Sequence, residues 1–109
     1  MKVKEFAEKL DLKLLIDNAD LDRDVKGCYI GDLLSWVMSK AKQDDVWITV
    51  MGNLNACAVA TLCDVSMIIL CEGALADEAL LNRAKENQLA VFSSYDDAYT
   101  LAVKISGLL

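Results

Sequence analysis

Hydrophobic side chains recur at intervals of three and four residues in five stretches of the chain, the spacing of one buried face of an α-helix. Most stretches follow Asp, Asn, Ser or Gly, residue types that begin helices. The predicted helices carry the apolar positions Val3, Phe6, Ala7, Leu10; Leu33, Leu34, Val37, Met38, Ala41; Ala56 to Leu62; Leu80, Leu81, Ala84; and Ala98, Leu101, Ala102, Ile105, Leu108. The expected N-caps are Asp32, Asn53 or Asn55, Asp77, and Ser94 or Asp96.

Apolar runs of strand length alternate with these helices. Val46 to Val50 combines β-branched and aromatic residues, which favour strands. Val65 to Cys71 is apolar throughout, as parallel strands covered on both faces are. Lys13 to Ile16, Cys28 to Ile30 and Ala90 to Phe92 are shorter candidates. The alternation predicts a three-layered α/β fold, with a mainly parallel sheet of about five strands and helices on both faces.

Charged residues are concentrated at the beginning of the chain. Thirteen of the first 26 residues are charged, against six in the segment from Gly27 to Cys71. No Gly/Ser-rich linker or repeat divides the 109 residues. We therefore expect a single domain over 1–109, in which 1–26 form a charged N-terminal helix and strand and 27–109 form the core.

The composition excludes several kinds of chemistry. The chain has no His, so it offers no imidazole base and no His metal ligand. A net charge of −6 disfavours binding to the phosphate backbone of nucleic acid. No glycine precedes Lys-Ser or Lys-Thr, so a phosphate loop is absent. We expect no cofactor and no enzymatic activity, although acid–base chemistry by Glu72 or Asp96 is a remaining alternative.

The apolar runs and the four cysteines indicate the cellular compartment and the state of the thiols. The chain has no signal-peptide pattern and no apolar run of the ~18 residues that span a bilayer, which predicts a cytoplasmic protein without membrane contact. The cysteine spacing fits no zinc or iron–sulfur motif, and each cysteine lies in an apolar segment, typical of a small buried side chain. A thiol redox sensor, the alternative, would use Cys28 or Cys71.

Three loops follow the predicted strands at the edge of the sheet where α/β proteins bind ligands. Their glycines allow close approach of a ligand, and the helix N-termini after them offer free N–H donors to an anion or carbonyl. The alternative explanation is structural, with glycines in turns and Asn and Ser as helix caps. The candidate ligand-binding residues are Gly52, Asn53, Asn55, Glu72, Gly73, Ser93, Ser94, Tyr95 and Asp96.

Large aromatic residues are candidates for the core or for an interface. Trp36, Trp47 and Tyr95 are expected mainly in the core. Trp36 lies about a third of a turn from the apolar stripe of its helix, so it is the first candidate for a contact in a homodimer.

The loop sequences resemble the DRTGG domain family, and are similar to the N-terminal domain of bacterial HPr kinase/phosphorylase. The resemblance is carried by Ile48 to Asn53, Ile68 to Gly73 and Val91 to Thr100, together with Gly31 to Ser35. It covers most of the chain after Gly27. It implies a small α/β regulatory or interaction domain of the kind attached to pairs of CBS domains or to enzymes, without the kinase machinery.

The chain departs from the DRTGG family pattern at two motifs. The Gly-Asp-Arg position reads Gly52-Asn53-Leu54, and the Thr-Gly-Gly position reads Cys71-Glu72-Gly73.

The favoured hypothesis is a non-catalytic regulatory, sensor or adaptor domain that forms a homodimer and binds a small anionic ligand or nucleotide at the strand-end loops. The alternative is a ligand-free interaction module that recruits a partner enzyme.

Overall fold

A computed structural model describes all 109 residues and contains five helices and five strands. In chain order these are α1 (Val3–Lys9), β1 (Lys13–Leu14), β2 (Gly27–Ile30), α2 (Leu34–Lys40), β3 (Asp45–Thr49), α3 (Leu54–Cys63), β4 (Met67–Leu70), α4 (Glu78–Asn87), β5 (Ala90–Ser93) and α5 (Ala98–Ser106). None of the helices has the length and apolar character needed to cross a membrane.

The strands form one sheet in the order β1-β5-β4-β3-β2. The strands β2 to β5 run parallel, while β1 pairs antiparallel with β5, with Lys13 opposite Ser93 and Leu14 opposite Phe92. The predicted α/β fold with a mainly parallel five-stranded sheet is therefore confirmed. The edge strand β1 is shorter than the run predicted from Lys13 to Ile16.

Helices cover both faces of this sheet, as predicted. The core on one face groups Phe6 of α1 and Leu101 of α5 with Ile69 of β4. The core on the other face groups Leu80 of α4 with Ile68, which precedes Ile69 in β4. This second core also includes side chains of α2 and α3. Because successive strand residues point to opposite faces, the continuous apolar run of β4 serves both cores.

The second helix differs from its prediction. It begins at Leu34 with Leu33 as N-cap residue, and no side chain caps it. Asp32, the predicted cap, instead accepts hydrogen bonds from Thr49 Oγ1 at 2.7 Å and from the Val50 N–H at 2.9 Å. Of the predicted stripe only Val37 is buried, because this seven-residue helix lies at the outer end of its layer, beside α3.

The remaining caps are resolved by the structure. Asn53 caps α3 and Asp77 caps α4, as predicted, by accepting from backbone N–H groups at 3.3 and 2.8 Å. Asp97 caps α5 by accepting from the Thr100 N–H at 2.7 Å, and this bond lowers the pKa of the Asp97 carboxyl. The alternatives Asn55, Ser94 and Asp96 do not cap these helices.

The aromatic residues separate into buried and exposed ones. Trp47 is fully buried and donates its indole N–H to the Gly31 carbonyl at 2.9 Å. Trp36 is 59% exposed and Tyr95 is 94% exposed, so the expectation that they lie in the core is wrong for these two. Both side chains come from segments that run along the surface, one on α2 and one in the loop after β5.

Candidate functional site

Three loops meet at the carboxyl ends of β3, β4 and β5, because these strands are adjacent and parallel. Backbone hydrogen bonds join the loops. The Gly73 N–H donates to the Ser94 carbonyl at 2.9 Å, and the Asp77 N–H donates to the Gly52 carbonyl at 2.7 Å. The predicted loops therefore share one edge of the sheet, which we call the rim.

Gly52, Asn53 and Asn55 have positions that structural roles explain. A Cβ on Gly52 would lie 1.8 Å from the carbonyl oxygen of Leu75, so only glycine fits there. Asn53 is the N-cap of α3, and Asn55 is an exposed residue of its first turn. None of these three lines the cleft described below.

Glu72 and Gly73 form a sharp turn after β4. Both have left-handed backbone conformations, with φ of 58° and 68°. The Glu72 N–H donates to the Asp96 carbonyl at 2.9 Å, which fixes this turn against the loop after β5. A Cβ on Gly73 would lie 3.1 Å from two carbon atoms of the Tyr95 ring, so one edge of that ring lies beside the glycine.

A cleft of about 560 Å³ opens at the β5 side of the rim. Small-molecule sites in proteins have volumes of roughly 300–1,000 Å³. Half of the lining residues are hydrophobic. The lining comes from the N-terminal segment (Leu10, Asp11, Lys13, Leu15), the loop after β4 (Gly73, Ala74, Leu75, Ala76), the end of β5 with its loop (Ser93, Ser94, Tyr95, Asp96), and Leu81 and Lys104 of the last two helices.

The structure therefore brings five of the nine predicted residues to one cleft. Gly73, Ser93, Ser94, Tyr95 and Asp96 line it. The N-terminal segment and Lys104, which complete the walls of the cleft, are not among the residues predicted from the sequence. The local pattern carries no signal for them, since Lys13 reaches the cleft only through antiparallel pairing with Ser93.

The cleft contains two basic and two acidic side chains, so its formal charges balance. Lys104 Nζ lies 2.7 Å from Asp96 Oδ2 and forms an ion pair with it. Lys13 has no carboxylate within ion-pair distance. Ser94 Oγ accepts from the Asp96 N–H at 3.1 Å, which orients the loop that carries Tyr95.

The helix N-termini at the rim are already capped. The expectation that they present free N–H donors to an anion is thus wrong in part, since Asn53, Asp77 and Asp97 each accept from one of these groups. Two of the three caps are aspartates, and Glu78 adds a further acidic residue in the first turn of α4. Acidic side chains consequently occupy the ends of α4 and α5 where an anionic ligand would be stabilised.

The four cysteines are free thiols. Cys57 and Cys71 are buried and Cys63 is half-buried, whereas Cys28 is exposed, contrary to the expectation of burial. Neighbouring protein atoms displace water from the Cys28 thiol, and with the Asp45 carboxylate they raise its pKa to about 11. Burial also raises the pKa of the other three thiols. A redox sensor needs a lowered pKa, so these thiols do not favour that alternative.

The fold and the cleft together define a small three-layered α/β domain with an open cavity at the carboxyl ends of its strands. Residues 5–108 match the DRTGG domain family, and the chain belongs to this family. The family resemblance seen in the loops is confirmed by this match. No curated protein matches the chain.

The fold is also found among solved structures. One of these is the crystal structure of the CBS and DRTGG domains of the regulatory region of Clostridium perfringens pyrophosphatase, complexed with the activator diadenosine tetraphosphate. The match has a TM-score of 0.68 at 14% sequence identity and covers 94% of the present chain. The chain spans 45% of that structure's chain. Similarity to the HPr kinase/phosphorylase domain stays a prediction.

Proposed function

We propose that this chain is a non-catalytic regulatory domain that binds a small ligand, a nucleotide or another small anionic molecule, in the cleft at the rim. The observation that carries the proposal is the cleft itself. It has the volume of a ligand site, a half-apolar lining, and polar groups contributed by Ser93, Lys13 and Lys104. Tyr95 and Leu75, also in the lining, are 94% and 87% exposed, so they are available for contact with a ligand.

The similar structure supports the regulatory part of this proposal. Its DRTGG domain belongs to the regulatory region of a pyrophosphatase, and that region was crystallised with a nucleotide activator. The present chain corresponds in length to less than half of that region. We therefore propose a role within a regulatory assembly, with ligand binding as the signal.

A thermal-shift panel of nucleotides and phosphorylated metabolites tests ligand binding. We expect at least one compound to raise the Tm, because a ligand that binds only the folded state stabilises it. Tyr95→Ala should reduce that shift. Tyr99→Ala is the matched control, since Tyr99 is also an exposed tyrosine but does not line the cleft. Absence of any shift at millimolar concentrations would remove ligand binding from the proposal.

We also propose that the domain forms a homodimer through the surface around Trp36. Between Gly27 and Ser39 the only charged residue is Asp32, although the chain carries a net charge of −6. Ile30, Leu33 and Trp36 are exposed in this stretch. Two copies can approach each other here with less electrostatic repulsion than elsewhere, and large exposed apolar side chains are typical of interfaces.

Sedimentation velocity measures this association directly. We expect the wild-type chain to sediment as a dimer and Trp36→Ala to shift the equilibrium toward monomer. Tyr99→Ala, an aromatic truncation on α5, should leave the dimer intact. A wild-type monomer across the accessible concentration range would contradict the homodimer.

A ligand-free module that recruits a partner enzyme is the second candidate function, and the same exposed surface on β2 and α2 favours it. The two functions predict loss of binding in different variants. Capture of one specific enzyme that is lost with Trp36→Ala but retained with Tyr95→Ala would favour recruitment. A ligand whose binding depends on Tyr95 would favour the sensor.

A further inference from the structure

We infer that the cleft at the rim selects a ligand with a planar aromatic body and at most one phosphate group, a nucleoside or its monophosphate, and discriminates against nucleoside polyphosphates. This inference rests on the proposed function, because it specifies the ligand class of the same cleft. Three independent features of the structure support it: the charges inside the cleft, the capping of the nearby helices, and the apolar lining.

The first feature is the number of available cations. Of the two lysines in the cleft, Lys104 is engaged with Asp96 at 2.7 Å, while Lys13 has no ionic partner. Asp11 adds a further negative charge to the wall. One free ammonium group can pair with one phosphate and offset at least half of its charge of roughly −2 at pH 7, whereas a triphosphate would leave several further negative charges beside two carboxylates.

The second feature is the state of the helix N-termini. In sites for polyphosphates, uncapped N–H groups at a helix N-terminus bind the phosphate oxygens. Here Asp77 and Asp97 occupy the N-termini of α4 and α5, accepting from backbone N–H groups at 2.8 and 2.7 Å. A phosphate chain reaching these ends would meet carboxylates. The net charge of −6 for the whole chain adds to the repulsion.

The third feature is the apolar surface available to a planar ring. Leu10, Leu15 and Leu81 contribute hydrophobic lining. Tyr95 contacts Gly73 along one ring edge, and its side chain is otherwise open to solvent, so its faces are accessible. Stacking of an aromatic ring on such a side chain is favourable beyond the burial of area, and a nucleobase provides that ring.

Calorimetric titration with adenosine, AMP and ATP, at constant ionic strength and without divalent cations, tests the inference. We expect AMP to bind more tightly than adenosine by about fivefold, the upper range for an exposed ion pair. ATP should bind more weakly than AMP by about fivefold or more. Tyr95→Ala should weaken the binding of both adenosine and AMP.

A pair of lysine variants isolates the role of the free cation. Lys13→Gln should weaken the binding of AMP to about the level of adenosine and so remove the preference for AMP. Lys4→Gln is the matched control, because it changes the net charge equally on the exposed face of α1, outside the cleft. It should retain the full preference for AMP.

The outcomes separate this inference from the proposed function. ATP binding more tightly than AMP, with Tyr95→Ala weakening both, would overturn the inference while supporting a nucleotide site in the cleft. A monophosphate preference unchanged by Lys13→Gln would also overturn it. If none of the three compounds binds, while another compound of the thermal-shift panel does so in a Tyr95-dependent manner, the inference fails and the proposed function stands.

Discussion

Gly52 lies so close to the Leu75 carbonyl oxygen that a Cβ placed on it would be 1.8 Å from that atom. Its backbone does not have a positive φ, so space rather than conformation requires glycine here. The same residue accepts a hydrogen bond from the Asp77 N–H, which joins the loop after β3 to the start of α4. Gly52 is a candidate ligand contact on sequence grounds, but its contact with Leu75 gives it a packing role.

Gly52→Ala should therefore destabilise the protein. The backbone at Leu75 must move to admit a methyl group, and overpacking of this kind costs typically about 1–3 kcal/mol. Urea denaturation measures the loss. Gly107→Ala is the control, because a Cβ there meets its nearest atom at 3.6 Å, an ordinary contact. Equal stability of the two variants would contradict the packing explanation.

The role of Asp32 could not be predicted from the residues next to it in the sequence. Its position before an apolar stripe is typical of an N-cap, yet its carboxylate binds Thr49 and Val50, 17 and 18 positions further along the chain. The competing partners exist only after β3 is placed beside β2. The capping residues Asn53 and Asp77 were predictable because their partners lie three residues away.

Helix α4 depends on one side chain at its beginning. Asp77→Ala should lower the free energy of unfolding by about 1 kcal/mol, within the usual 0.5–2 kcal/mol for losing an N-cap. Asp77→Ser retains an oxygen acceptor and should recover most of the loss. Denaturation midpoints of the three proteins measure the effect, and equal midpoints for the alanine and serine variants would argue against capping.

The helices and strands were largely predictable from the sequence, whereas which of them lie side by side in the fold was not. Periodicity located all five helices, and the β-branched and apolar runs located the long strands, because these patterns reflect local burial. The position of β1 beside β5 depends on contacts between the two ends of the chain. For that reason the rim loops were found in the sequence, but the wall formed by Lys13 and Leu15 was not.

Arg23 connects distant parts of the molecule. Its guanidinium donates to Asp44 Oδ1 at 2.7 Å and Asp64 Oδ1 at 3.0 Å, and to the carbonyls of Asp64 and Val65. It thereby ties the charged N-terminal segment to the turns before β3 and β4. Both aspartates have left-handed backbone conformations, with φ of 66° and 57°.

This network predicts a pH dependence of stability. The Arg23 hydrogen bond holds the pKa of the Asp44 carboxyl below its ordinary value of 3.8. A carboxyl whose pKa is lower in the folded state contributes stability that is present above the unfolded pKa and is lost as pH falls through the folded pKa. The stability advantage of wild type over Asp44→Asn should therefore shrink as pH falls below about 4.

Urea denaturation of both proteins between pH 7 and pH 2.5 checks this expectation. In an Arg23→Gln background the Asp44→Asn substitution should lose most of its pH dependence, because the guanidinium that lowers the pKa is gone. A pH profile that is the same in both backgrounds would assign the effect to other groups.

The pairing of Lys13 with Ser93 also has a consequence for how the domain is made. A ribosome releases the N-terminal segment long before β5 is synthesised, so β1 has no strand partner until β5 has emerged. Helix α1 also lacks part of its packing surface until the last helix is made, since Phe6 packs in the same core as Leu101 and Ile105 of that helix. The cleft between these segments therefore forms only after β5 and α5 have been synthesised and have folded against β1 and α1.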